Sequence, residues 1–218
     1  MKAVIFDFNG TLFFDRKYNT EAWVETLDEL RKGHTLQDPE FLDSYYSMDY
    51  QVITNNCKAY GIPYDTESVN SWAHHKESIY QRKAIEGGTV LPKGAEEVLN
   101  YIKQKNIPMN MATSSIAYNC DFYFEYFGLD RWFDRNLIAH DDGSYITKTK
   151  MYEDAAKNIG VDMKDVIVFE DTERSIDEAI KAGSKTVVYV NSRGIELNKK
   201  EIVQTINDYT ELDLSIFD

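Results

Sequence analysis

The chain has 218 residues, of which 24 are Lys or Arg and 37 are Asp or Glu, and its formal net charge at pH 7 is −13. Hydrophobic residues make up 43% of it, which is typical of a folded globular protein and excludes an intrinsically disordered one. This acidity disfavours nucleic acid and anionic membranes as partners, because long-range repulsion opposes both. A small anionic substrate stays possible, since one Lys and one metal ion can reverse the local field.

The sequence predicts a cytoplasmic protein that does not interact with a membrane. No stretch approaches the ~18 apolar residues of a membrane helix. The N-terminal run Met1–Asp7 has no small-residue cleavage site and ends in an acid, which argues against a signal peptide. Cys57 and Cys120 lie far apart in the sequence, and we expect them to be reduced thiols.

The first strand is followed by a long block that carries only helical signals. Ala3–Phe6 is a short apolar run closed by Asp7, which predicts a buried strand within the first seven residues. Helical spacing of apolar residues predicts a helix over roughly residues 19–33. Further helical segments are expected from Asp38-Pro39 onward, up to Tyr60-Gly61, and from about Thr66 to Ile85.

From about residue 88 onward, predicted strands and helices alternate. The expected strands are Pro108–Ala112, Leu137–Ala139, Val166–Phe169 and Thr186–Val190, with helices between them. This alternation predicts an α/β fold with a Rossmann-like parallel sheet. The helical block interrupts it after the first strand, so we expect a core domain of residues 1–14 and 88–218 and an inserted helical domain of residues 15–87.

Polar residues follow three of the predicted strands. Asp7–Thr11 follows the first strand, Thr113-Ser114 the second, and Glu170-Asp171 a later one. Open parallel sheets bind ligands at the carboxyl ends of their strands. We therefore expect these three segments to meet at one site.

Three runs resemble motifs of the haloacid dehalogenase superfamily, whose members are mostly Mg²⁺-dependent phosphatases and phosphomutases. They are Phe6–Leu12 (FDFNGTL), Ala112–Ser115 (ATSS) and Val168–Thr172 (VFEDT). The resemblance covers nearly the whole chain, and the helical insertion is similar to the cap domain that this family places after its first motif. It implies a Rossmann-like core with a helical cap.

The resemblance also implies roles for the motif residues in phosphoryl transfer. Asp7 would be the nucleophile and would form an aspartyl-phosphate. Mg²⁺, a hard ion that takes oxygen ligands, would be held by the carboxylates of Asp7 and Asp171, by the main-chain carbonyl of Asn9, and by Glu170 through a water. The Thr113 hydroxyl and the Ser114 backbone N–H would bind phosphate oxygens where a strand meets a helix N-terminus.

Family members also carry a lysine before the helix that leads into the family's fourth motif, the one that Val168–Thr172 resembles. Lys148 and Lys150 both lie in this region. We choose Lys148, because its twelve-residue spacing to Gly160 resembles that of phosphoserine-phosphatase-like members. Lys150 is the alternative.

Asn9 departs from the family pattern. Phosphatases and phosphomutases of this superfamily carry Asp there, which protonates the leaving oxygen and later deprotonates the attacking water. The Asn amide can do neither. General acid–base catalysis is typically worth ~10²–10⁴-fold, against rate enhancements of up to ~10²¹ for phosphate monoesters. We therefore expect a slow enzyme rather than an inactive one.

Our main hypothesis is a Mg²⁺-dependent hydrolase of a small phosphorylated metabolite. The alternatives are a degenerate member that binds a phosphorylated ligand or a partner without turnover, a phosphomutase, and a phosphonate hydrolase using Lys58 or Lys76 to form a Schiff base. A haloacid dehalogenase would not need Glu170-Asp171 as a metal pair. The sequence names no substrate and leaves open whether the protein is a monomer or a homodimer.

Overall fold

The computed structural model describes residues 2–37 and 49–218. It divides the chain into two compact units. We call Met1–Phe14 with Val90–Asp218 the α/β unit, and Asp15–Thr89 the helical unit. The predicted segment that begins at Asp38-Pro39 lies outside the described residues.

The helical unit contains the helices α1 (Arg16–Leu30), α2 (Asp49–Tyr60) and α3 (Thr66–Glu86). Their shared core consists of Trp23, Leu27, Leu30, Val52, Ile53, Cys57 and Val69. Helix α3 begins with a capping box, in which the Asp65 carboxylate accepts from the Ser68 N–H at 2.8 Å and the Ser68 hydroxyl accepts from the Asp65 N–H at 2.9 Å. In the described residues, no helix is both long and apolar enough to cross a membrane.

The α/β unit is built on a parallel sheet, which confirms the predicted fold class. Its described strands are β1 (Ala3–Phe6), β2 (Met109–Ile116), β3 (Ala139–Asp141), β4 (Val166–Glu170), β5 (Thr186–Val190) and β6 (Ile202–Ile206). They run in the order β3-β2-β1-β4-β5-β6, and each neighbouring pair is parallel. The helices of this unit are α4 (Ala95–Gln104), α5 (Ala117–Phe127), α6 (Lys148–Asn158) and α7 (Glu173–Ala182).

The two central strands are buried along their whole length. Every residue of β1 and β4 is buried, as expected for parallel strands whose sheet is covered on both faces. One core cluster joins them to α6 and α7 through Ala3, Ile5, Ala112, Ala139, Met151, Tyr152, Ala155, Ala156, Met163, Val166, Val168 and Ala179. This packing holds the ends of β1 and β4 and the start of α6 in a fixed arrangement.

The strand order creates a switch point between β1 and β4. After β1 the chain forms β2 and then β3 on one side of the sheet, and it returns to add β4 on the other side of β1. Ligands of open α/β sheets bind outside the carboxyl ends of the strands at such a point. The candidate active site lies there.

Several elements differ from the sequence prediction, and strand β3 (Ala139–Asp141) begins two residues later than expected. Strand β2 continues to Ile116, so Thr113 and Ser114 lie within the strand and not at a helix N-terminus. Helix α6 begins at Lys148, earlier than the apolar pattern indicates, because its first turn is polar. The sequence analysis missed β6, an edge strand whose half-exposed, mixed residues carry little apolar signal.

Candidate active site

Three carboxylates meet at the ends of the two central strands. Asp7 directly follows β1, and its N–H donates to the Phe169 carbonyl at 3.0 Å, which extends the β1–β4 pairing by one residue. Glu170 ends β4 and Asp171 follows it. One oxygen from each of the three side chains lies within 4.8 Å of the others, and all three residues are buried.

Lys148 joins two of these carboxylates. Its Nζ donates to Asp7 Oδ1 at 2.7 Å and to Glu170 Oε1 at 2.5 Å. Burial raises the pKa of Asp7 well above its usual range; the Lys148 charge opposes this effect, and Glu170 and Asp171 add to it. Burial would lower the pKa of Lys148, but the Asp7 and Glu170 carboxylates outweigh it and hold that pKa above its usual value. Lys148 is therefore charged at neutral pH.

Both oxygens of Glu170 are saturated with hydrogen bonds. Oε1 accepts from Lys148 and from the Tyr152 hydroxyl, the latter at 2.6 Å. Oε2 accepts from the backbone N–H groups of Asp171 at 2.8 Å and Thr172 at 3.3 Å. A carboxylate offers about four lone-pair sites. Glu170 is thus suited to orienting its neighbours, and direct contact with a cation would break one of these bonds.

Asp171 contacts Arg193 and lies close to Gly10. Arg193 Nε donates to its Oδ2 at 3.0 Å. A Cβ at Gly10 would come within 2.2 Å of the same oxygen. The φ of Gly10 is +81°, in the left-handed region that favours glycine. Only glycine allows the turn after β1 to approach the Asp171 carboxylate this closely.

This donor set fits a Mg²⁺ ion. Buried carboxylate oxygens are the ligands that a hard divalent cation prefers, and the close approach at Gly10 brings the backbone of the Asn9-Gly10 turn against Asp171. By the resemblance, the Asp7 and Asp171 carboxylates and the Asn9 carbonyl would hold the ion.

The Asn9 side chain is held by two hydroxyl groups. Its Oδ1 accepts from Ser115 Oγ at 2.7 Å, and its Nδ2 donates to the Tyr123 hydroxyl at 3.0 Å. Ser115 Oγ and the Tyr123 hydroxyl are also within 3.2 Å of each other. The Tyr123 ring is buried and stacks on Phe8 with a centroid separation of 4.2 Å. The amide of Asn9 is therefore fixed in one orientation.

Thr113 and Ser114 lie on β2, beyond the last residue that pairs with β1. Register pairs Phe6 with Met111, so Thr113 lies two residues further along, at the same edge of the sheet as Asp7. Thr113 is fully buried, and its Oγ1 accepts from the Ser115 N–H at 3.2 Å. Ser114 is exposed. The expected helix N-terminus is absent here, because α5 begins only at Ala117.

The two candidate lysines occupy opposite environments. Lys148 contacts Asp7, whereas Lys150 pairs with Asp154 one turn later on α6 at 2.6 Å, and 57% of the Lys150 side chain is exposed.

The start of α6 is held by Glu178 on α7, whose Oε2 accepts from the Thr149 N–H at 3.0 Å and also from the Thr149 hydroxyl. That hydroxyl bond is the main cause that lowers the pKa of Glu178. The negative charge of this carboxylate at the helix N-terminus offsets the unfavourable effect of the positively charged lysines in the first turn.

Sequence reasoning missed several residues that contact the predicted ones. Tyr152 lies four residues after Lys148, so helical spacing places both on one face of α6. Arg193 lies just after β5, at the same edge of the sheet, and the strand-end argument applied to Asp7 would have pointed to it. Tyr123 and Glu178 carry no local signal, since their roles depend on tertiary packing.

A family model described as haloacid dehalogenase-like hydrolase matches residues 1–183. The chain belongs to the haloacid dehalogenase-like hydrolase family. This confirms the resemblance drawn from the three motif runs.

Individual relatives agree with this assignment. A solved structure of a haloacid dehalogenase hydrolase, family IA, variant 3, from Entamoeba histolytica is 30% identical, with a TM-score of 0.84 over 99% of this chain and 96% of that one. The phosphorylated carbohydrates phosphatase of Thermotoga maritima is 23% identical over 86% of this chain and 84% of its own. A β-phosphoglucomutase structure from Clostridium difficile has a TM-score of 0.75 and 19% identity, covers 100% of this chain and 95% of that one, and shares the fold. The family model and the curated relative support a hydrolase of the phosphatase kind.

Proposed function

We propose that this protein is a Mg²⁺-dependent phosphatase of small phosphorylated metabolites that forms an aspartyl-phosphate on Asp7. The observation that carries the proposal is the buried contact of Asp7 with Lys148, beside Asp171 and Glu170. Phosphoryl transfer needs an in-line nucleophile and positive charge near the phosphoryl oxygens, and these side chains can supply both.

Each side chain has a distinct part in this proposal. Asp7 attacks phosphorus, and Lys148, charged at neutral pH, attracts the phosphate and stabilises the charge that develops on it. The Thr113 hydroxyl and the Ser114 N–H donate hydrogen bonds to phosphoryl oxygens. Mg²⁺, when bound, neutralises the charge between the carboxylates and the phosphate.

The first substrates to test are phosphorylated carbohydrates, since the Thermotoga relative carries that class in its name. The net charge of −13 supports a small metabolite over a polyanionic partner. The cap role of the helical unit, the cytoplasmic location and the choice between monomer and homodimer stay predictions.

The decisive experiment measures Mg²⁺-dependent phosphate release across a panel of phosphorylated metabolites and aryl phosphates. The parent protein is compared with Asp7→Asn, which keeps the size of the side chain and removes the nucleophile. We expect release that requires both Mg²⁺ and Asp7. Metal-dependent release that survives Asp7→Asn would overturn the proposal.

A second candidate rests on Asn9, whose amide cannot transfer a proton. The protein would then bind phosphorylated ligands without turnover. Calorimetry with Mg²⁺ and inorganic phosphate would detect binding, and the panel above would detect no release. Release gained in Asn9→Asp would indicate that the remaining machinery is intact.

The phosphonate hydrolase alternative finds no support at Lys76. That lysine is buried and its Nζ donates to Glu77 at 2.8 Å. Burial would lower its pKa, but Asp49 and Glu77 outweigh this effect and raise it. A Schiff-base lysine needs a free, readily deprotonated amine, and Lys76 is held in its charged form.

A further inference from the structure

Arg193 brings a second cation to the carboxylates of the candidate active site. Its Nε donates to Asp171 Oδ2 at 3.0 Å. Of the Asp171 side chain only 3% is exposed, whereas 25% of the Arg193 side chain is. Arg193 is thus a partly exposed cation in direct contact with a buried carboxylate that we expect to hold Mg²⁺.

The turn after β5 fixes the position of Arg193. The Asn191 N–H donates to the Ile206 carbonyl on β6 at 2.7 Å, and the Asn191 side-chain oxygen accepts from the Ile195 N–H at 2.9 Å. The hydroxyl of the buried Tyr189 donates to the Ile195 carbonyl at 2.9 Å. Hydrogen bonds before and after Arg193 therefore tie this turn to the end of the sheet.

The charges around Asp171 nearly balance without a metal ion. Asp7, Glu170 and Asp171 supply three carboxylates, and Lys148 and Arg193 supply two cations. With all five groups ionised, they carry one unit of negative charge between them. A divalent cation added to this set reverses the sign, and the site then attracts an anionic phosphate group.

We propose that Arg193 tunes the charge of the site through Asp171, so that the site holds Mg²⁺ weakly by itself and more strongly together with a phosphate group. The inference rests on the proposed function and adds a residue that controls how metal and phosphate bind. Arg193 acts here as a counter-charge, because it occupies Asp171 Oδ2 and repels a nearby cation.

A purely orienting role for Arg193 predicts the opposite effect on metal binding. A partner that only orients a metal ligand raises metal affinity, and its loss typically costs ~10–100-fold. The orientation of Asp171 has other supports, since it follows β4 directly and its N–H donates to Glu170 Oε2 at 2.8 Å. The turn at Gly10 also confines its carboxylate. We therefore expect the charge of Arg193 to outweigh its orienting effect.

The experiment titrates the metal-free protein with Mg²⁺, and the Mg²⁺-loaded protein with inorganic phosphate, by calorimetry. Arg193→Gln keeps an N–H donor and removes the charge, whereas Arg193→Lys keeps the charge. Arg193→Gln should bind Mg²⁺ ~10-fold more tightly and phosphate ~10-fold more weakly, because a unit charge acts on the two ions with opposite sign. Arg193→Lys should stay close to the parent in both titrations.

Arg135→Gln is the matched control. Arg135 Nε donates to Asp121 Oδ1 at 2.7 Å, and 27% of the Arg135 side chain is exposed, but 68% of the Asp121 side chain is exposed as well. This control should change neither affinity. Circular dichroism and urea unfolding establish that each variant is folded. In the parent, which needs no substitution, Mg²⁺ should bind on the order of 10-fold more tightly with phosphate present than without it.

Each result bears on the inference separately from the proposed function. Arg193→Gln that weakens Mg²⁺ binding, or leaves it unchanged, overturns the inference, and so does a parent whose Mg²⁺ affinity ignores phosphate. Arg193→Lys that shifts both affinities as far as Arg193→Gln shows that charge is not the cause. Asp7-dependent phosphate release with any of these results leaves the proposed function standing. Opposite shifts in Arg193→Gln without any Asp7-dependent release support the inference, and the proposed function then fails.

Discussion

Replacing Lys148 should lower the free energy of unfolding, because the buried carboxylates of the candidate active site lose their positively charged partner. In Lys148→Met, Asp7 and Glu170 lose the positive charge that lies 2.7 and 2.5 Å from their oxygens. Both carboxylates stay buried, since 7% of the Asp7 side chain and none of the Glu170 side chain is exposed. Breaking a buried ion pair by removing one partner costs about 3–5 kcal/mol. For a chain of this size that loss lowers the melting temperature by about 6–20 °C.

The assay is urea unfolding of the metal-free protein in chelator, followed by circular dichroism. Lys150→Met is the matched control, because its partner Asp154 lies at the surface on the same helix. Exposed pairs contribute little, so this control should unfold close to the parent. Adding Mg²⁺ should restore much of the stability that Lys148→Met loses, because a cation again offsets the carboxylates.

The loss should also depend on pH in a defined direction. The native pKa of Asp7 is raised by burial, and Lys148 opposes that rise. Without the lysine the carboxyl group holds its proton to a still higher pH. The native state then binds more protons than the unfolded state above the ordinary Asp pKa, so the stability of the variant falls as pH rises. We expect the deficit to be largest at alkaline pH and to shrink towards pH 4.

Two results would refute this reasoning. One is a Lys148→Met protein that unfolds at the same urea concentration as Lys150→Met, since the lysine would then not compensate buried charge. The other is a deficit that grows as pH falls, which has the wrong sign for carboxylates left without a partner.

Three further substitutions test single contacts of the site. Tyr152→Phe removes one of the four hydrogen bonds to the buried Glu170 carboxylate and should cost about 1.5–3 kcal/mol in urea unfolding; an unchanged midpoint would contradict that contact. Gly10→Ala and Gly143→Ala both place a Cβ at positive φ, which costs about 1–2 kcal/mol. The new Cβ at Gly10 would lie 2.2 Å from the Asp171 carboxylate, whereas a Cβ at Gly143 would have nothing within 4 Å. Gly10→Ala should therefore lose more stability and also weaken Mg²⁺ binding in calorimetry, and equal effects would argue against the close approach. Glu178→Gln removes the charge at the start of α6 and should lower stability by about 1 kcal/mol or less, with the loss reduced by salt; a salt-independent loss would indicate a packing effect instead.

The sequence determined the fold class and most of the charged site, because those signals are local. Short apolar runs such as Ala3–Phe6 and Val166–Phe169, each closed by an acidic residue, predict buried strands, and a polar residue directly after such a strand lies at its carboxyl end. Parallel alternation then brings Asp7 and Glu170-Asp171 to one edge whatever the details of packing. The choice of Lys148 over Lys150 came instead from the family resemblance, through its twelve-residue spacing to Gly160.

Only the tertiary structure decided what each of these groups touches. The pairing of Lys148 with two carboxylates, and the hydroxyls that hold Asn9, depend on how α5 and α6 pack on the sheet. The contact of Arg193 with Asp171 depends on the path of the chain after β5. Such contacts join residues that are far apart in the chain, so neither periodicity nor composition carries a trace of them. The physical reason is that burial and partner geometry set the charge state of a side chain, and both arise only when the elements pack together.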